Sequence, residues 1–203
     1  MLSFAAAVFF LIITPGPGVL STAGVGAAYG YAAGTRYVAG LFVGTNLVAI
    51  AVISGLAALV FSLRGLREVL LILSVIYLAY LAFRIAFSGV KIAFIESRSA
   101  PAFLHGVSLQ LVNPKAYATN TVLFSGFAFM PDNLFSETLI KLIILNLIWV
   151  PIHFLWLAAG VTLHRLDLSH RTQFVINVIM GVSLMIVVGL AVLAQTGYLG
   201  SFS

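Results

Sequence analysis

The chain has 203 residues, 62% of them apolar and 7% charged, with a net charge of +5 and no cysteine. Soluble domains carry about 25% charged residues, so these charges are too few to coat a water-exposed surface, and a single compact integral membrane domain is expected. The lack of cysteine excludes a disulfide framework and a thiolate metal site, and the basic residues are spread over loops, which argues against a nucleic-acid partner.

Uncharged runs cover 1–35, 37–63, 69–83, 99–114, 116–131, 142–164 and 172–203. A spanning helix takes ~20 mostly apolar residues. After allowance for loops this gives six spans, at 2–27, 38–62, 69–88, 104–130, 138–163 and 173–195. The N-terminus lacks the basic region and small-residue cleavage pattern of a signal peptide, so the first segment is expected to remain as a span.

Span one contains Thr14-Pro15-Gly16-Pro17-Gly18 and ends in a glycine- and alanine-rich stretch, Gly24 to Gly34, which allows close helix packing. Arg36 is expected to mark a loop. Span two carries Gly40 and Gly44 four apart, a small-residue packing stripe, and Asn46 near its middle. Asn46 is either glue between helices or part of a site. Arg64, Arg67 and Glu68 form a short loop, and span three ends in the aromatics and Arg84 of an interfacial anchor.

The longest polar segment, about 85–103, joins two halves, roughly 1–88 and 104–196, with 89–103 as the connection. Span four contains Asn113-Pro114-Lys115-Ala116, and a loop with Pro131, Asp132 and Glu137 follows. Span five carries Asn146, Trp149, Pro151 and His153, and span six is glycine-spaced and uncharged.

The halves echo each other. Pro15 and Pro114 lie 99 positions apart, Asn46-Leu47 and Asn146-Leu147 lie 100 apart, and Arg64 and Arg165 lie 101 apart. Three spans per half is odd, so the second copy enters from the opposite face and the repeats are inverted. Proline removes a donor and clashes with the preceding turn, so the first and fourth helices are expected to break at their proline motifs. Broken helices at matching positions of two halves point to a transporter's binding site. Loops after spans one, three and five hold six Lys and Arg, against Arg64, Arg67 and Lys141 on the other side. That excess puts both termini outside the cytoplasm.

Lys115 is the most informative residue. A charge at the membrane centre costs about 3 kcal/mol or more, which makes Lys115 a functional candidate over a lysine snorkelling to the interface. Its role would be to hold a carboxylate, with the half-helix N-termini at Pro17 and Pro114 presenting N–H groups to the same anion. No Asp or Glu lies inside a predicted span, which favours a neutral, zwitterionic substrate over a dication. The substrate ammonium would meet carbonyls near Gly16–Gly18 and the amides of Asn46 or Asn146. His153 could relay a proton, although a hydrogen-bonded structural histidine is the commoner case. The four histidines lack ligand spacing, so no metal is expected. No phosphate loop with Lys-Ser/Thr and no nucleophile–base pair suggests an ATPase or an enzyme, and no cofactor is implied.

At these residues the sequence resembles the lysine exporter (LysE/RhtB) family of amino-acid exporters. Thr14-Pro15-Gly16-Pro17 is similar to that family's first-helix motif, and Asn113-Pro114-Lys115-Ala116, with Phe103, Gly106 and Leu111 before it, to its fourth-helix motif. Gly34-Thr35-Arg36 with Gly40 and Gly44, Tyr77 to Leu81 with Arg84, and the last span match as well. The resemblance implies a bacterial inner-membrane exporter of amino acids or close derivatives powered by the proton gradient. Two departures stand out: Gly18 where the family often has asparagine, and Asn46 where many members carry aspartate.

The expectation is therefore an all-α membrane protein of six transmembrane helices in two inverted repeats, a secondary exporter of neutral amino acids over residues 1–203. Pro15, Gly16, Pro17, Gly18, Asn113, Pro114 and Lys115 would form the site with Asn46 and Asn146 beside it. The bilayer and the amino acid are its partners, and the glycine stripes are compatible with a homodimer. The rival readings are an exporter of another small solute or cation, and a non-transporting membrane scaffold.

Overall fold

The computed structural model describes residues 1–56 and 100–165 continuously, with scattered positions between 69 and 83 and between 169 and 189. Spans three and six and the connecting segment fall largely outside the described residues. The positions described within 69–83 and 171–189 are helical, and no strand occurs among the described residues. Five helical elements carry the rest: α1 (Leu2–Ile13), α2 (Pro17–Ile53), α3 (Phe103–Val112), α4 (Pro114–Gly126) and α5 (Leu134–Arg165).

Proline sets the interruptions. A residue before proline is pushed out of the helical region, and Thr14 (ψ 127°), Gly16 (φ −163°, ψ 177°) and Asn113 (φ −82°, ψ 105°) are all extended. Pro17 and Pro114 then occupy the first position of the following helix, where a missing N–H costs nothing. Both proline motifs thus interrupt their spans. The helix starts pair Pro17 with Pro114, so the first break is two residues longer than the second.

The second span departs from expectation. Arg36 is helical, with its Nε donating to the Ala32 carbonyl at 3.2 Å, and the chain turns instead at Gly30 (φ 76°, ψ −173°). Only glycine takes such a φ without strain. A straight helix would hold Ser21 and Tyr37 roughly 24 Å apart, yet Tyr37 Oη donates to Ser21 Oγ at 3.0 Å. Residues 17–29 and 31–53 are therefore two antiparallel limbs of a hairpin, and the second span starts seven residues and ends nine residues earlier than the 38–62 expected.

α3 and α5 pack on this hairpin. A Cβ on Gly40 would fall on the Phe103 carbonyl, one on Gly106 on the Tyr37 carbonyl, and one on Gly160 on the Ala23 carbonyl. The small-residue stripes thus serve backbone-to-backbone contacts within the chain, at distances that no side chain allows. Phe4, Val8, Tyr37, Leu41, Leu109, Leu123, Leu145 and Leu157 fill the core. Outward positions are as apolar as inward ones: Ile50, Ile143, Leu147 and Leu155 are 56–69% exposed. In water such faces would be an aggregation hazard; in lipid they are the expected exterior, and both α2 and α5 contain a stretch apolar enough to cross a membrane.

Glu137 and Lys141 also differ from expectation. They are not loop charges but a buried ion pair one turn apart near the start of α5, Nζ to Oε1 2.7 Å. Glu137 Oε2 accepts the Phe129 N–H at 2.8 Å and the Met130 N–H, while Lys141 Nζ donates to the Phe124 carbonyl at 3.3 Å. The pair thereby ties the end of α4 to the start of α5.

Candidate functional site

The two breaks face each other across a cavity. Its walls come from α1, both limbs of α2, α3, α4 and α5, and its volume is about 60 Å³. One water needs roughly 10–15 Å³, so the space suits a small solute.

Lys115 spans the breaks. It sits in the first turn of α4 and donates from Nζ to the carbonyl of Thr14, the C-cap of α1, at 2.6 Å. Its chain runs over Gly16, where a Cβ would lie 2.7 Å from Cδ and 3.0 Å from Nζ. An ammonium has three donors, and the bond to Thr14 uses one.

The two helix starts are not equivalent. Asn113 caps α4, its Oδ1 accepting the Lys115 N–H at 3.1 Å, and the Ala116 N–H returns to the Asn113 carbonyl at 3.0 Å. Gly16 caps α2 with no side chain, so the first-turn N–H groups of Gly18 and Val19 lack an intrahelical acceptor. Both residues line the cavity. The open, positively polarised end is thus that of α2, beside the Lys115 wall, while that of α4 is already satisfied.

The structure brings Gly16, Gly18, Asn113 and Lys115 onto the cavity wall, with Pro15, Pro17 and Pro114 shaping the backbone that carries them. Asn46 and Asn146 are not among the lining residues. They bond each other reciprocally, at 3.0 and 2.9 Å, and each also donates to its own carbonyl four residues back, Phe42 and Leu142, both at 2.9 Å. Of the two roles open to Asn46 from sequence, glue between helices is the one observed.

Sequence reasoning did not single out Thr45, Gln110, Thr119, Asn120 and Trp149 as lining residues. Gln110 Nε2 donates to Thr45 Oγ1 at 2.6 Å, and Gln110 Oε1 accepts from Asn113 Nδ2 at 2.8 Å. This buried chain ties α2 to the α3–α4 break. Polar residues one turn upstream of the Asn-Pro motif were the available signal. Of the two roles considered for His153, the structure shows the hydrogen-bonded one, and it also puts the ring on the cavity wall. Its ring stacks on Trp149 at 3.5 Å and its Nδ1 lies 3.0 Å from the Trp149 carbonyl, while Nε2 is 3.4 Å from where a Gly18 Cβ would stand, at the cavity. A carbonyl only accepts, so Nδ1 carries the proton and Nε2 is left as the acceptor.

Among the described residues no cluster of His, Cys, Asp or Glu could hold a metal. No curated protein and no solved structure matched the chain. A family model, LysE type translocator, matches residues 9–196. That match takes in both helix breaks, the cavity lining and nearly the whole sequence, so the chain belongs to the LysE type translocator family, a family of membrane transporters.

Proposed function

We propose that this translocator is a secondary exporter of neutral amino acids or close derivatives across the bacterial inner membrane. The observation that carries this reading is Lys115: a cation held on the wall of a cavity between two broken helices, next to the open N-terminus of α2. A carboxylate is the simplest group that uses a lysine ammonium and free helix-start N–H groups together. The lining contains no carboxylate, and its remaining surface is apolar or uncharged apart from His153. Such a wall suits a zwitterion with an uncharged side chain better than a dication.

Two inverted three-helix repeats rocking about the cavity would give alternating access. The reciprocal Asn46–Asn146 bond supports a two-fold relation. Exchanging 46 with 146 and 42 with 142 maps the contact onto itself. Termini on the periplasmic side remain the orientation favoured by loop charge. With Lys141 buried in α5, the weaker side retains Arg64 and Arg67 alone. Proton coupling would rest on His153. Asn46 cannot ionise, and Lys115 and His153 are the titratable groups lining the cavity. The protonatable atom is Nε2, since Nδ1–H is committed to Trp149.

Efflux of a panel of amino acids from preloaded cells tests the reading. Export of one or more neutral amino acids is expected. Export of a metal cation or another solute but no amino acid would replace the substrate class, and no export of any kind would favour a scaffold.

A further inference from the structure

Asn120 stands on α4, five residues after Lys115, 2% exposed and on the cavity wall. Its Nδ2 donates to the Ala116 carbonyl at 2.8 Å, which fixes the amide: turned over, it would set two oxygens against each other. Oδ1 is left without a partner. Among the described residues it shares that condition with Thr35 Oγ1, which does not line the cavity. Buried acceptors are nearly always satisfied, and an orphan is costly in a water-poor interior. Oδ1 itself is covered, so a small turn of this side chain on the cavity wall would let a ligand supply the missing donor.

We infer that Asn120 is a substrate-recognition residue whose Oδ1 receives the ammonium group of the amino acid that Lys115 and the α2 N-terminus hold by its carboxylate; this rests on the function proposed above. The two polar ends of the substrate would then both meet residues of α4 that line the cavity. Its side chain would meet the apolar part of the lining, Leu11, Leu145 and Trp149. An amide oxygen receives an ammonium without adding fixed charge to the membrane interior, whereas a carboxylate there would be expensive when empty. The α-ammonium is thereby required, and an acid of the same skeleton that lacks it leaves Oδ1 unpaired.

The test is equilibrium binding to the purified full-length protein in detergent. The probes are alanine, valine and leucine, each against its des-amino acid: propanoate, 3-methylbutanoate and 4-methylpentanoate. In wild type the amino acids should bind more tightly than their des-amino partners. Asn120→Ala should weaken the amino acids by about tenfold or more, the usual weight of a hydrogen bond to a charged group, and leave the des-amino acids within about twofold. Asn120→Asp, which keeps the shape, should retain the amino acids and weaken the des-amino acids by carboxylate repulsion. Gel filtration of each variant checks folding, and either variant alone decides the matter. If both ligand classes shift together, or neither shifts, Asn120 is structural and the inference falls while the proposed function stands. If wild type binds none of the amino acids, the proposed function fails and takes this assignment with it.

Discussion

At the scale of single residues, Lys115 and His153 are the titratable groups on the cavity wall. Lys115 bonds the Thr14 carbonyl at 2.6 Å and so ties the two helix breaks to each other as well as facing the solute. On the proposed function, a substrate carboxylate would compete with Thr14 for its three donors or share them, which would link binding to the relation of the two breaks. His153 offers Nε2 to the same space. His153→Gln keeps a polar, neutral side chain of similar length. It is expected to retain exchange of labelled for unlabelled amino acid in proteoliposomes while losing accumulation driven by a pH gradient. Equal loss of both activities would make His153 structural. Lys115 was legible from sequence because a charge flanked by long apolar runs is costly and therefore informative. His153 was harder to read, since a lone histidine on an apolar helix gives no sign of whether its second nitrogen meets backbone or cavity. Asn120 gave no sign at all: a polar residue in a helix declares itself only once its oxygen is found without a partner.

At the scale of elements, the broken helices follow from proline and were readable to within a residue or two. Three pre-proline residues are extended, and two prolines begin helices. The inequality of the two helix starts was not readable, because it depends on whether the capping residue has a side chain: Asn113 has an acceptor and Gly16 has none. The turn at Gly30 was misplaced to Arg36 for a related reason. In water a charge usually marks a loop, but an arginine in the second turn of a membrane helix can reach the interface and remain helical. The glycine stripes make packing predictions. Gly40→Ala would drive a methyl group into the Phe103 carbonyl and force α3 away from α2. A loss of about 1–3 kcal/mol is expected, read as a lower melting temperature in detergent. An unchanged melting temperature would mean that the two helices are not in backbone contact.

At the scale of the whole molecule, the proposed internal repeat bears on one contact of the fold. The near-constant offsets of about 100 residues were visible in sequence, but only the folded chain brings Asn46 and Asn146 into mutual contact with mirrored partners. A bond between equivalent residues is what a two-fold axis through that point would produce. Hydrogen bonds between membrane helices couple by about 1 kcal/mol, so Asn46→Leu and Asn146→Leu should each destabilise. The double variant should lose less than the sum by a similar amount, measured as a double-mutant cycle in detergent unfolding. Additive effects would remove the pairing. The membrane class was fully legible, because 7% charged residues leave no alternative exterior. The substrate was not, since the residues that would select it are neutral and dispersed over five helices. The most direct measurement is transport of neutral amino acids by proteoliposomes of wild type and Lys115→Ala at matched reconstitution. Transport by wild type that falls at least about tenfold in the variant is expected if Lys115 holds the substrate carboxylate. Full transport by Lys115→Ala would contradict it.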